Sequence, residues 1–184
     1  MLIWLNGPFG VGKTATAEAL VKRRLPRCVL FDPEPLGAML RQVASAIDPV
    51  EDFQDLYAWR LLVPETVRVL RAAYASTIVM PMTVWRPDYF NELAAALRRV
   101  DTDVRCFRLM AAEDVLRARI MGRPATDGNH DWCLDHLRTG LALMRDPAFG
   151  EPVATDTRSP DQVADAVALA VGQALLVDDR TRCS

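Results

Sequence analysis

Gly7-Pro8-Phe9-Gly10-Val11-Gly12-Lys13-Thr14 is a complete G-x-x-x-x-G-K-T phosphate loop beginning at residue 7 of the chain. It follows Leu2-Ile3-Trp4-Leu5-Asn6, which reads as a short buried strand, and leads into Ala15-Thr16-Ala17-Glu18-Ala19-Leu20-Val21, which reads as helix. Strand, loop and helix in that order are the context the motif requires. Glycines let the backbone curl so that successive N–H groups point into one concavity, and the helix adds the positive end of its dipole. The pattern predicts a site for a nucleoside triphosphate, ATP in the first place, held by Gly7, Pro8, Phe9, Gly10, Val11, Gly12, Lys13 and Thr14. Lys13 would reach the β- and γ-phosphates, and the Thr14 hydroxyl would ligate Mg²⁺. Of the 22 basic residues only Lys13 and Lys22 are lysines, and one of them occupies the motif position.

The composition sets the frame around this loop. A chain of 184 residues, 51% of them hydrophobic, suits one domain with a sizeable core. A net charge of −2 offers no bulk attraction for nucleic acid. Cys28, Cys106, Cys133 and Cys183 form no C-x-x-C pair, which fits thiols kept reduced in a cytoplasmic protein. No apolar run approaches the ~20 residues of a membrane span. The longest candidate, Val163 to Val177, is broken by Asp165, Gly172 and Gln173, and its acidic polar face suits packing on a core rather than on an anionic membrane.

Short apolar runs alternate with helical periodicity along the chain. The predicted strands are Leu2–Asn6, Cys28–Phe31, Thr77–Met82, Val104–Met110 and Pro152–Thr155. The predicted helices are Thr14–Leu25, Pro35–Ala46, a longer region within Asp52–Tyr74, Pro87–Val100, Glu113–Met121 and Asp131–Met144. Phe90, Leu93, Ala94 and Leu97 recur at helical spacing on the fourth of these. A last helix opens on Ser159-Pro160-Asp161-Gln162, a capping box with Pro at the first helical position, and buries Val163, Val167, Ala170, Val171 and Ala174. Such alternation implies a parallel sheet wrapped by helices, with ligands at the carboxyl ends of the strands.

What is missing narrows the class of phosphate-loop protein. There is no Asn-Lys-x-Asp base reader of the guanine-nucleotide switches, and the third strand ends Pro81-Met82-Thr83 without the acid that holds magnesium in motor-type ATPases. The second strand does deliver carboxylates, in Phe31-Asp32-Pro33-Glu34. Asp32 at a strand tip beside the loop is placed to take a proton from an acceptor hydroxyl, although Asp-Pro also favours a plain turn. Arg117-Ala118-Arg119-Ile120-Met121-Gly122-Arg123 suggests an arginine lid over residues 117–131, softened by Gly122, Pro124, Gly128 and Asn129. Arg119 and Arg123 are four apart and share a helix face, and an arginine over the γ-phosphate would stabilise the charge of transfer.

An acceptor-binding region is expected at about 48–74. There Asp52-Phe53-Gln54-Asp55-Leu56-Tyr57-Ala58-Trp59-Arg60 combines acids, aromatics and a guanidinium, and Trp85-Arg86 repeats the aromatic–arginine pair. Glu34, Phe53, Trp59, Arg60 and Trp85 are therefore candidate substrate-binding residues alongside Asp32, with helix packing as the plain alternative for the aromatics. His130, Cys133 and His136 at i, i+3 and i+6 lack a fourth ligand and make a weak zinc pattern.

These stretches together resemble the bacterial tunicamycin resistance proteins, within the small phosphate-loop kinases that include shikimate kinase and chloramphenicol phosphotransferase. The loop alone is generic. More specific are Phe31-Asp32-Pro33-Glu34, Asp52-Phe53-Gln54 with Trp59-Arg60, Val79-Met80-Pro81-Met82-Thr83, Pro87-Asp88-Tyr89-Phe90-Asn91-Glu92 and Leu109-Met110-Ala111. The resemblance implies a three-layer α/β/α P-loop NTPase fold with a five-stranded parallel sheet, nucleotide-kinase-like. It also implies ATP and Mg²⁺ as cofactors and a role against a uracil-containing nucleoside antibiotic. Phosphoryl transfer catalysed by Lys13, Asp32 and Arg123, ATP-gated sequestration without chemistry, and a metabolic kinase are the three functions it leaves open.

Overall fold

The computed structural model describes residues 1–25, 27–74, 76–124 and 130–172. Its centre is a five-stranded, all-parallel sheet made of β1 (Leu2–Asn6), β2 (Cys28–Leu30), β3 (Thr77–Pro81), β4 (Val104–Met110) and β5 (Glu151–Ala154), in the spatial order β2-β3-β1-β4-β5. β1 lies in the middle, registered Ile3 against Val79 on one side and against Arg105 on the other. The phosphate loop thus springs from the centre of the sheet's carboxyl edge, where strand order reverses and a crevice opens.

Side chains alternate across this sheet as the pleat demands. Ile3, Leu5, Val79, Phe107, Leu109 and Val153 pack on one face with α1 (Lys13–Ala19), α5 (Glu113–Met121), and α8 (Pro160–Ala170). Leu2, Trp4, Ile78 and Met80 pack on the other with α3 (Tyr57–Tyr74) and α4 (Pro87–Val100). α2 (Glu34–Ala44) joins that second layer through Leu36 and Leu40. The buried residues of α4 are Phe90, Leu93, Ala94 and Leu97, the stripe read from the sequence. α8 carries the expected capping box at Ser159 and Gln162, but its buried face is Val163, Ala164, Val167 and Ala168. Ala174, predicted in that stripe, lies outside the described residues.

Two helices depart from expectation. The segment expected as one helix to Leu25 is α-helical only to Ala19 and continues as a wider π-turn over Leu20–Arg24. The Leu25 N–H reaches back to the Leu20 carbonyl at 3.1 Å, an i to i−5 bond that buries both leucines. The stretch predicted as one helix from Asp131 to Met144 breaks at His136 into α6 (His130–Asp135) and α7 (Leu137–Leu143). α7 then sits directly on the loop: a Cβ at Gly140 would lie 2.4 Å from the Pro8 Cβ, so only glycine permits the contact.

Candidate active site

Three strand tips converge at the sheet's carboxyl edge. Asn6 ends β1 with its side chain wholly buried, donating to the Val84 carbonyl at 3.0 Å and accepting from the Gly7 and Val84 N–H groups at 2.9 and 3.0 Å. It fastens the loop's first residue to the chain leaving β3. Gly7 has φ +144°, and a Cβ there would meet the Leu109 carbonyl at 2.8 Å, so both the turn and the crowding require glycine.

The Gly7 carbonyl accepts from Lys13 Nζ at 3.0 Å and from Thr83 Oγ1 at 3.1 Å, and Lys13 also donates to the Pro8 carbonyl at 3.0 Å. Lys13 is only 8% exposed. Burial pulls its pKa down to about 8, against the partial support of Glu34, and Arg123 lowers it further. The loop therefore holds a cation short of partners, which a phosphate would satisfy.

A cavity of about 1040 Å³ opens beside the loop. That is at the upper end of the ~300–1,000 Å³ typical of ligand pockets, ample for more than one small molecule. Its loop end presents Phe9, Gly10, Gly12, Lys13 and Thr14, together with Thr83, Arg123 and Cys133. Glu34, at the start of α2, lies within charge range of Lys13 and Arg123, and the wall beyond it is built by Arg41 in the last turn of α2 and by Glu51, Asp52, Phe53, Gln54 and Trp85. Val11 differs from its loop neighbours in having its side chain buried in the core.

The far wall is stiffened by one buried amide. Gln54 is 2% exposed. The Asp52 carboxylate accepts from its backbone N–H at 3.0 Å and from its Nε2 at 2.6 Å, while its Oε1 accepts from the Trp85 N–H at 3.4 Å. Burial nevertheless holds the Asp52 carboxyl above the usual carboxylate range. The same cause raises Glu34, which keeps water-accessible surface but stands in a concave wall close to Asp32 and Asp52. Arg41 ties the wall together by donating to the Glu51 carbonyl at 2.9 Å.

Four predicted side chains take other places. Trp59 is fully buried, packs on Phe53 at 5.1 Å between ring centroids, and donates from Nε1 to the Pro33 carbonyl. It is a core residue and corrects the reading of Trp59 as a substrate contact. Arg60 donates to Glu92 at 2.8 Å and to the Gln54 and Asp55 carbonyls, with its guanidinium 3.8 Å from the centre of the Tyr89 ring. It braces the Gln54–Asp55 turn from behind and is not among the residues lining the cavity.

Arg119 is bonded to Thr155 Oγ1 and to the Thr155 and Asp156 carbonyls after β5, away from the lining. Helical spacing failed to pair Arg119 with Arg123 because α5 ends at Met121 and Gly122 turns the chain, leaving Arg123 alone in the cavity. Asp32 also stands back from the lining, its Oδ1 accepting the Glu34 N–H at 2.9 Å in an Asx-turn. The expected lid reaches Gly128 and Asn129, which lie outside the described residues.

Sequence reasoning missed an aromatic cluster. Phe9 meets Trp85 and Trp132 edge-on at 5.7 and 5.0 Å, and His136 stacks on Trp85 at 5.4 Å with 15° between planes. His136 Nδ1 lies 2.8 Å from the Trp132 carbonyl, so the weak zinc pattern resolves into a ring stack. A Phe inside a phosphate loop with isolated tryptophans further on, Trp85 after β3 and Trp132 on α6, was the available signal, but the partners are 76 and 123 residues away.

Loop, sheet order and cavity define a phosphate-loop protein of kinase-like architecture. The chain belongs to the AAA domain family, whose model matches residues 2–147. Its structure is similar to that of the Deinococcus radiodurans tunicamycin resistance protein, with a TM-score of 0.75 and 27% identity over 96% of this chain and 98% of that one. A sugar kinase from Janibacter sp. HTCC2649 (TM-score 0.68, 18% identity, 94% and 95% covered) and shikimate kinase from Acinetobacter baumannii (0.55, 15%, 92% and 92%) share the fold. Thymidine kinase of infectious laryngotracheitis virus (strain Thorne V882) is 31% identical over 122 residues, 63% of this chain. The chain spans about a third of the length of that curated relative. No helix of the described residues is long and apolar enough to cross a membrane.

Proposed function

We propose that this protein is an ATP-dependent phosphotransferase whose acceptor is a hydroxyl of a tunicamycin-like nucleoside antibiotic. The observation that carries the reading is the cavity itself, which joins a phosphate loop at one end to a carboxylate and aromatic wall at the other. The similarity to the tunicamycin resistance protein supports the drug as acceptor, and the sugar and shikimate kinases support transfer to a hydroxyl as chemistry of this fold.

In this reading Gly7–Thr14 bind the triphosphate, Lys13 shifts from the Gly7 and Pro8 carbonyls to the β- and γ-phosphates, and Arg123 offsets charge at the transferring group. Thr14 and Glu34 both line the cavity and offer oxygen donors of the kind that would hold magnesium. The ion neutralises phosphate charge when bound. Thr83, standing where motor ATPases keep an acid, contributes a hydroxyl already committed to Gly7. The Asp32–Glu34 pair supplies the proton acceptor, since these are the carboxylates whose charges act on Lys13.

Labelled ATP incubated with tunicamycin tests the reading: label on the drug is the expected result. Asp32→Asn and Glu34→Gln then sort the pair, the true base losing transfer by about 10²-fold or more with ATP affinity kept. The second reading, ATP-gated sequestration, is favoured by Asp32 standing behind the lining in its turn. It requires tight drug binding that depends on ATP and no label transferred.

A further inference from the structure

We propose that the outward face of α3 is a dimer interface, on which a second copy of this chain lays its own α3 antiparallel about a two-fold axis midway between Glu65 and Arg68. The inference stands apart from the reading of the cavity: it concerns the solvent side of that helix and needs no ligand.

A helix packed on a sheet normally turns charged and polar groups to water. α4 does so, exposing Asp88, Asn91, Glu92, Arg98 and Arg99. The neighbouring α3 does not. Its outer face exposes Leu61 at 49%, Leu62 at 38% and Val69 at 55%, together with Ala58 and Ala72. Ala58, Leu61, Glu65, Arg68 and Ala72 follow one another at steps of three, four, three and four residues, so they form one seam along the helix, flanked by Leu62 and Val69. Apolar side chains gathered on a face turned to water mark a surface shaped for a partner.

The charges on the seam identify that partner. Glu65 and Arg68 lie 2.8 Å apart within one copy, and both are more than half exposed, where such a pair adds little to the fold. Their order along the helix gives them a second use. A parallel second copy would set Glu65 against Glu65 and Arg68 against Arg68. An antiparallel copy sets each Glu65 against Arg68 of the other chain, and Leu61 against Ala72, because both pairs are centred on the same point of the helix. Leu62 and Val69 then meet along the flank. A two-fold contact requires that residue i meet j while j meets i, and this seam meets that condition with opposite charges matched at both contacts. Polar groups in an apolar seam fix direction and register at a cost in strength. The dimer is therefore one that forms with rising concentration.

Sedimentation velocity on the full chain across about 1–100 μM reads the association directly. The expected result is a shift from one chain of 20.5 kDa toward twice that mass. Glu65→Lys sets like charges against each other on both sides of the axis, and so does Arg68→Glu; either change should weaken association about ten-fold or more. The two changes made together restore opposite charges at both contacts and should bring the dimer back. Leu61→Ser should weaken association while leaving the circular dichroism spectrum unchanged, since the side chain supports no core. The proposal falls if the chain is monomeric throughout, if either single charge reversal leaves the dimer intact, or if the double variant stays dissociated. Where the chain is monomeric, flotation with phosphatidylcholine vesicles and removal of residues 173–184 show whether lipid or the chain's own end takes the face instead.

Discussion

The two ends of one cavity were built by different rules. At the loop end, a contiguous octet fixes the geometry through its own backbone, with Lys13, Gly7 and Pro8 bonded to one another within seven residues. At the far end, Glu34, Asp52, Gln54 and Trp85 come from three separate connections, and they meet the phosphate loop through the Phe9–Trp85 ring contact and the charge of Glu34 acting on Lys13. The first end is a local structure; the second is a tertiary assembly that, in the proposed function, meets the acceptor. Substitutions should therefore separate nucleotide binding from acceptor selection.

The largest expected separation is at Lys13. Lys13→Ala should abolish nucleotide binding in calorimetry while leaving the circular dichroism spectrum unchanged, because the buried ammonium bonds only loop carbonyls. Its pH dependence has a definite sign. The folded pKa, about 8, lies below the ordinary value of 10.5, so the unfolded chain binds more protons between those values and stability rises with pH across that window. Bound phosphate restores the charge. Nucleotide affinity should thus fall as pH rises through about 8, with uptake of a proton on binding. Affinity independent of pH from 7 to 9 would contradict it.

Next come the two tryptophans that sequence reasoning treated alike. Trp59→Ala opens a hole in a fully buried site and should cost about 3–5 kcal/mol in denaturant unfolding. Trp85→Ala, half-buried on the cavity wall, should cost far less stability and instead weaken the acceptor. Equal destabilisation by the two would dissolve the distinction between core and wall.

That pair also shows where legibility stopped. Strands β1 and β4 and helices α4 and α5 match their predicted bounds because an apolar period is a local property of the chain. The loop was legible for the same reason. Trp59 and Arg60 were not, since aromatic and guanidinium groups serve a wall or a core equally well, and only the turn of α3 decides which way each points. Arg119 was misplaced by assuming that α5 ran on past Gly122. Trp132 and Asn6 carried no motif, and Gln54 stood within Asp52-Phe53-Gln54 without a role of its own. Their importance lies in partners distant in sequence, such as Val84, 78 residues from Asn6.

A smaller effect is expected at Gly140, where α7 touches the loop. A methyl group there must displace Pro8, and overpacking of this kind costs about 1–3 kcal/mol. Because Pro8 is part of the octet, Gly140→Ala should also weaken nucleotide binding, unlike a core substitution of equal cost. A variant that lost stability but kept full affinity would show that the loop's shape is independent of α7.

The smallest effect serves as the control for all the others. Ser159 caps α8 by accepting the Gln162 N–H, and Gln162 reaches back to accept the Ser159 N–H at 2.8 Å. Removing the hydroxyl leaves one N–H at the start of the helix to water, which costs about 1 kcal/mol. α8 packs on α1, the helix that the phosphate loop opens, through Val163, Ala164, Val167 and Ala168, and the cap lies beyond that contact at an exposed end. Ser159→Ala should accordingly lower the denaturation midpoint slightly and leave both nucleotide and acceptor affinity unchanged. If nucleotide affinity fell in step with that small loss, the loop end would depend on distant helix stability. It would then no longer be the self-contained structure its internal hydrogen bonds describe, and the contrast between the two ends of the cavity would have to be redrawn with α8 on the nucleotide side.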